Sequence, residues 1–261
     1  MKNYTSLISR QPDVWLRVVS HNVFWFQGQP FKTDQPQGPD AAVLGALAQM
    51  YHKLDIDLLC MQEVQSRQAF EQVGAVLDHA GGYTPGAHFS QYGAASFGPT
   101  IRVLADSQSA DNKPQRVWQL LQITKDDRSL IVGNLHLPSA RHVTGEQAQA
   151  HRVAELQMVI NQPQMPDVIL GDFNEALGGC VDAFLTSQGY LDAATLAGKR
   201  DLPTTPRGRR GDQIWVHQTI AGQIVDFGAV NSDDMQAGCL GKEFLSDHFP
   251  IWIDLKAKSE R

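Results

Sequence analysis

Cysteine is scarce in this chain, with 3 in 261 residues, at positions 60, 180 and 239. No CxxC or Cys/His spacing occurs, which argues against a zinc knuckle or a disulfide framework. Three reduced, mostly buried thiols are expected instead. Long apolar runs are also missing: nothing approaches the roughly 20 apolar residues that span a bilayer. The N-terminal stretch MKNYTSLISRQPDVW has no apolar h-region and no small-residue cleavage pattern. The expectation is a soluble, cytoplasmic protein. Positive charge is not in excess either, since 22 Lys+Arg face 28 Asp+Glu for a formal charge of −6. Phosphate neutralisation supplies much of the affinity of a dedicated duplex-DNA binder, so this balance weighs against that role while leaving room for a local basic stretch. Linkers rich in Pro, Gly and Ser do not divide the chain and no repeat is visible. Residues 1–261 therefore read as one domain, and nothing points to a partner protein.

What is present is a core. Hydrophobic residues make up 42% of the chain, enough to exclude disorder. Short apolar runs predict strands at Val14–Ser20, Ile56–Met61, Val117–Ile123, Leu130–Leu137, Asp167–Leu170, Gln213–Val216, Ile224–Phe227 and Pro250–Leu255. The turn-like KDDRS makes the third and fourth a hairpin. Three segments have helical spacing. Asp40 can cap one, with Val43, Leu44, Leu47, Met50, Tyr51 and Leu54 on one side. Ser66 can cap another, whose face is Phe70, Val73, Val76 and Leu77. The third runs from about Glu146 to Ile160. Strands outnumber helices, and hairpins mix with β–α connections. This predicts an α/β (α+β) fold of two packed sheets with helices outside. Gln27–Pro39 and Gly189–Gly211 read as loops, the second long enough to suggest a functional role.

The informative pattern lies at the ends of the strands, where a rigid backbone can hold a side chain in place. Asn22 follows LRVVSH, Glu63 follows DLLCMQ, and His136 sits in IVGNLHLPS. Asp172 and Asn174 follow VILG, Asp212 precedes QIWV, and Asp247 and His248 precede FPIWIDL. Each alone is readable as a turn residue bonding local backbone, or as a satisfied core histidine. Independent turns do not produce this succession of amides, carboxylates and imidazoles. Together they suit a phosphate ester. Mg²⁺ takes oxygen ligands, for which Glu63 and Asp247 offer carboxylates, while Asn22 and Asn174 can either ligate through oxygen or donate through NH₂ to a phosphate oxygen or a water. Asp172 can accept a proton from water. His136 and His248 can donate to phosphoryl oxygens that gain charge in the transition state. Asp212 can fix the tautomer of a histidine and stabilise its imidazolium.

These blocks resemble the endonuclease/exonuclease/phosphatase family of metal-dependent phosphoesterases. The likeness is carried by VVSHNV, DIDLLCMQEV, GNLHLPS, VILGDFN, RRGDQIWV and SDHFP, and extends from Arg17 to Ile251. It implies a four-layer α/β/β/α sandwich with two central mixed sheets, an Mg²⁺ or Mn²⁺ cofactor, and hydrolysis by an activated water. On this likeness Glu63 is the main metal ligand, assisted by Asn22 and Asp247. Asp172 orients or deprotonates the water beside Asn174, Asp212 orients His248 toward the phosphate, and His136 approaches from another side. GNLHLPS is similar to the branch of DNase I-like nucleases, sphingomyelinases, inositol-phosphate phosphatases, deadenylases and tyrosyl-DNA phosphodiesterases, rather than to the abasic-site branch with tyrosine there.

Three further features extend the candidate list. The family's small-residue strand falls on Gly86–Arg102, which adds Arg102 and raises Tyr92. The loop VFWFQGQPF puts Phe24, Trp25, Phe26 and Phe31 near the expected metal, either as an aromatic platform led by Trp25 or as cover for the sheet edge. Lys199, Arg200, Arg207, Arg209 and Arg210 precede Asp212 and offer a second phosphate grip, or a solvated loop. The substrate is then a small-molecule phosphate ester, a lipid headgroup or a nucleic acid. A non-catalytic binding module on the same fold is the reading from a different class.

Overall fold

The computed structural model describes residues 10–30, 38–110, 112–141 and 143–257. One sheet is built from β1 (Val14–Asn22), β2 (Leu58–Val64), β3 (Gly81–Thr84), β4 (Gly93–Phe97), β11 (Ile224–Ala229) and β12 (Ile251–Lys256), in the order β11-β12-β1-β2-β4-β3. The other contains β5 (Ile101–Asp106), β6 (Val117–Lys125), β7 (Arg128–His136), β8 (Val168–Asp172), β9 (Tyr190–Asp192) and β10 (Asp212–His217), in the order β5-β6-β7-β8-β10-β9. Both are mixed: β1 runs parallel to β2 and β7 parallel to β8, and the remaining pairs are antiparallel. A strand covered on both faces loses its apolar/polar alternation. Eight of the nine residues of β1 are accordingly buried.

Three apolar clusters define the layers. Val18, Cys60, Leu121, Val132, Leu170 and Ile253 fill the space between the sheets. Helices α1 (Ala41–Lys53) and α2 (Arg67–Leu77) cover the outside of the first sheet through Leu47, Leu54, Val73 and Leu77. Helices α3 (Gly145–Ile160) and α4 (Cys180–Ser187) cover the second through Leu156, Val159, Val181 and Leu185. The four-layer α/β/β/α arrangement expected from the sequence is the one observed. The caps are local: the Asp40 carboxylate accepts from the N–H groups of Ala42 and Val43, and Ser66 Oγ accepts from Ala69 N–H. Thr144 and Gln147 form a capping box at α3.

Several expectations need correcting. Strand β2 begins at Leu58 rather than Ile56. The β6–β7 hairpin turns tightly at Asp126 and Asp127, both at positive φ, so its strands run further into KDDRS than their apolar content shows. Val76 does not join the buried face of α2; it is exposed. Gly189–Gly211 is not wholly irregular, because it holds β9 and the short helix α5 (Ala193–Leu196). Among the cysteines only Cys60 is buried, with Cys180 half-buried and Cys239 exposed; all three are free. Phe31 and part of the Gln27–Pro39 loop lie outside the described residues. No helix among the described residues is long and apolar enough to cross a membrane.

Gly171, one residue before Asp172, has φ +141°, and a Cβ there would lie 1.8 Å from the carbonyl oxygen of Leu135 on the neighbouring strand β7. The glycine lets β8 approach β7 closely enough to bring Asp172 beside His136. Gly171→Ala is expected to cost roughly 3 kcal/mol or more, read as a lower midpoint of chemical denaturation.

Candidate active site

The strand ends meet at one edge of the sandwich. Parallel pairing sets His136 beside Asp172, and antiparallel pairing sets Asp212 on the other side of Asp172. In the facing sheet β1 ends at Asn22, β2 carries Glu63 near its end, and the loop before β12 brings Asp247 and His248. These tips line a cavity of about 870 Å³. Its walls include Glu63, His136, Asp172, Asn174, Asp247 and His248. Asn22 and Asp212 stand behind them, both about 1% exposed.

Each side chain is placed by identifiable contacts. Glu63 occupies a bulge where the β2–β4 register slips, with φ 58°, and the bulge directs its carboxylate out of the ladder into the cavity. Asp172 accepts from Asn22 Nδ2 at 3.1 Å and from the backbone N–H of Asn174 at 2.9 Å. Asn22 Oδ1 in turn accepts from Phe24 N–H at 3.1 Å, so the amide is engaged at both ends while one oxygen lone pair stays free. Asn174 sits at φ 50°, and its Nδ2 donates to the Leu137 carbonyl at 2.9 Å. Asp212 accepts from His248 Nδ1 at 2.8 Å and from Thr204 Oγ1 at 2.7 Å. His248 Nε2 then faces Asp172 and Asp247, at 3.8 and 3.9 Å. His136 Nε2 lies 3.6 Å from Asp172 and 3.9 Å from Glu63.

The electrostatics divide the two histidines. Burial drives His136 down to about 3, against a partial rescue by Asp172, so its imidazole is neutral near pH 7. Burial also pulls on His248, but Asp212, Asp172 and Asp247 together outweigh it and hold the group well above 6.5, as imidazolium. Burial, then repulsion from Asp247, raises Glu63 to about 8. Asp247 is raised by the same two causes, burial and a neighbouring carboxylate, here Asp172. Glu63 Oε2 and Asp247 Oδ1 are enclosed and have no hydrogen-bond partner. Two unsatisfied oxygens on mutually repelling carboxylates fit a hard divalent cation. Ligand atoms of Asp172, Asp212 and His248 also lie within 4.8 Å of one another. That trio fits a cation less well, because Asp212 and His248 Nδ1 already spend their polar atoms on each other and on Thr204.

The geometry fits a family, and the comparisons decide it. The model of the endonuclease/exonuclease/phosphatase family matches residues 19–248. The chain belongs to that family. Solved structures agree on the fold. An AP endonuclease from Archaeoglobus fulgidus has a TM-score of 0.64 at 17% identity, covering 93% of this chain and 100% of its own. A mannosyl-6-phosphatase from Bacteroides thetaiotaomicron has a TM-score of 0.61 at 17% identity, with coverage of 93% and 100%. The D. rerio TDP2 protein in complex with a single-strand DNA product gives 0.65 at 16% identity, with coverage of 93% and 99%. A search of the curated proteins gave no match.

The outer candidates fare unevenly. Trp25 lines the cavity but is only 4% exposed, with its indole N–H donated to the Gln91 carbonyl at 2.8 Å. Phe24 and Phe26 are buried beside it, so these rings mainly cover the sheet edge. Arg209 is exposed on the cavity wall. Arg210 also lines the wall, yet it is paired with Asp192 at 2.5 Å, and Lys199 is paired with Asp226 at 2.6 Å. Arg102 is not at the site. It lies opposite Gln122, five residues along β6 from Val117, the partner of His136, so it stands roughly 16 Å away along the strand. The arginine at the cavity end of that strand is Arg116, just before β6, and it lines the wall. The rule that selected the other strand ends could have found it.

Glu63 gives a test that needs no substrate. Its unfolded carboxyl titrates near 4.5, whereas the folded one titrates near 8 without metal. Between those values the folded state binds more protons than the unfolded state, so stability falls as pH rises through that window. Glu63→Gln is expected to raise the melting temperature of metal-free protein, with a gain that grows from pH 5 to 8. It should also remove the stabilisation that Mg²⁺ or Mn²⁺ gives the wild type. Thermal melts with EDTA and with each metal check both.

Proposed function

We propose that this protein is a hydrolase that cleaves a phosphate ester by attack of water, with Mg²⁺ or Mn²⁺ held by Glu63 and Asp247 and by the free lone pair of Asn22. The observation that carries the proposal is the pair of enclosed, unpartnered carboxylate oxygens facing a neutral and a charged imidazole across one cavity. The bound cation supplies Lewis-acid polarisation of a phosphoryl oxygen and offsets the carboxylate repulsion. Asp172, fixed by Asn22 and the Asn174 backbone, orients the water and takes its proton. His248 donates from Nε2 to the phosphoryl group, and Asp212 keeps that proton in place by holding Nδ1. His136 donates as a neutral imidazole from the other side, and Asn174 stays beside the water through its engaged amide. The residues act as one domain, and three unpaired cysteines favour a reducing, cytoplasmic setting. A nuclease or nucleic-acid end-processing role is the second reading, favoured by Arg116, Arg141, Arg207 and Arg209 around the mouth of an acidic cavity.

With Mg²⁺ or Mn²⁺, turnover is expected of at least one substrate among bis-p-nitrophenyl phosphate, p-nitrophenyl phosphate, single-stranded DNA, plasmid and sphingomyelin, and none with EDTA. Activity that survives chelation defeats the scheme. Asp172→Asn and His248→Ala should each lower kcat by a factor on the order of 10² or more. Asp212→Asn should lower kcat far more than it raises KM, because it mis-sets the tautomer of His248 without touching substrate.

A further inference from the structure

A second, smaller cavity of about 310 Å³ opens beside the first and shares Tyr92, Arg116, Ser139 and Arg141 with it. Its remaining walls include Phe89, Pro138, Val143 and His151. The chemistry here differs from that of the acidic floor next door. Phe89 is 60% exposed and Val143 38% exposed, whereas most other rings among the described residues are buried. The exposure of Phe89 is built in. Ala87 N–H donates to the Arg116 carbonyl at 2.9 Å and Tyr92 N–H to the Phe89 carbonyl at 3.0 Å, which ties the loop to the start of β6. The turn is so tight that a Cβ on Gly86 would lie 2.2 Å from the Phe89 carbonyl oxygen.

Tyr92 links the two spaces. Its ring packs edge-on against His136 at 6.1 Å and against Phe89 at 6.4 Å. The Arg116 guanidinium lies over its face, 3.7 Å from the centroid. That stacking fixes the plane of the guanidinium, and among the described residues no carboxylate lies within ion-pair distance of it. Glu155, the acid that α3 brings near Arg116, is held near 8 by burial against the pull of the Gln115 N–H, so it does not cancel the charge. Arg141 is exposed on the same wall. An exposed ring beside two arginines suits a planar group that carries its own anion: stacking holds the plane and a guanidinium holds the phosphate.

We propose that this annex binds one nucleotide unit attached to the scissile phosphate, its base against Phe89 and its far phosphate on Arg116 and Arg141. The proposal rests on the phosphoesterase reading of the larger cavity and names its substrate class. A space of this volume takes one unstacked unit, not a duplex, so the substrate is single-stranded at the site of cleavage.

Calorimetric titration in EDTA separates this idea from catalysis, since no turnover is involved. The probes are thymidine 3′,5′-bisphosphate and 2-deoxyribose 5-phosphate. Wild-type protein should bind the bisphosphate more tightly than the sugar phosphate. Phe89→Ala should weaken the bisphosphate on the order of tenfold and leave the sugar phosphate unchanged, while Phe89→Tyr restores binding. Phe89 is exposed on a loop, so folding is not at stake. Arg141→Ala should weaken the bisphosphate and flatten its salt dependence. A bisphosphate affinity indifferent to Phe89→Ala, equal binding of the base-less sugar, or no binding by wild type overturns the proposal. Failure of every substrate in the hydrolysis panel overturns the phosphoesterase reading instead, whichever way the titration falls.

Discussion

The site depends on a ladder of buried amides that pins one sheet against the other. Gln62 Nε2 donates to Ser20 Oγ within its own sheet and to Asn134 Oδ1 across the interface, the latter at 2.7 Å. Asn134 Nδ2 reaches back to Met61, Ala95 and Ser96 and sideways to Gln119. Gln119 continues the chain to Ser96 and Thr84, and Thr84 to Asp106. Burying such groups between apolar layers costs several kcal/mol unless each finds a partner. Sliding one sheet over the other would unpair them, and a one-residue slip of β2 or β7 against its neighbours would turn Gln62 or Asn134 to the opposite face. Gln62 lies directly before Glu63, and Asn134 two residues before His136. The interactions that set sheet register therefore also set the distance between the main carboxylate and the neutral imidazole.

Held in that way, the site can carry strain. Glu63 and Asn174 both adopt left-handed backbone, and Phe24, Trp25 and Phe26 do so in succession. Such residues cost on the order of 1–3 kcal/mol each and persist only where their surroundings over-determine them. The aromatic turn is over-determined: Phe24 N–H binds Asn22 Oδ1, Asp40 N–H binds the Phe26 carbonyl, and Gln65 Nε2 binds the Trp25 carbonyl. The same turn thus caps the sheet edge, orients Asn22 and begins α1. Its rings are legible in the sequence and cover the sheet edge, while the backbone N–H of Phe24 holds the Asn22 amide that reaches Asp172.

Legibility followed periodicity and rigidity. The residues at strand ends can be named from sequence because short apolar runs end or begin at them, as VILG does before Asp172 and QIWV after Asp212. The long-range partners cannot. Thr204, which braces Asp212, sits in an irregular loop with no pattern around it. Ser246 ties β1 to the His248 loop by accepting from His248 N–H and donating to the Asn22 carbonyl, and a lone serine gives no hint of that. Strands β3 and β4 are poor in hydropathy signal because glycine and alanine dominate them, and β4 enters the sequence reading only through the Gly86–Arg102 likeness; the alternating β5, IRVLAD, is not among the predicted strands, and Arg102 lies on it, away from the site. Arg152 joins the two loops of one cavity wall through the Pro138 carbonyl and Glu175, a link visible only once α3 is docked.

The opposite protonation of the two histidines follows from where each is anchored. His136 belongs to a strand buried on both faces, and its Nδ1 has no partner. Nothing near it compensates for desolvation except Asp172, and Arg116 opposes that. His248 sits on a loop whose carbonyl is held by His21 Nε2, itself backed by Tyr51 through Nδ1. That fixes the loop and points its ring into three carboxylates. Burial drives His21 to about 3, so its ring is neutral; donating from Nε2 to the His248 carbonyl, it accepts from the Tyr51 hydroxyl. Environments that push paired titratable groups apart mark distinct proton roles. In the proposed reaction His248 therefore brings a charge and a proton to the phosphoryl group, whereas His136 brings a dipole that adds no charge beside Glu63. A charged His136 would compete for the carboxylates of the proposed cation site, so its desolvated strand-end position suits that site as well as the proposed substrate.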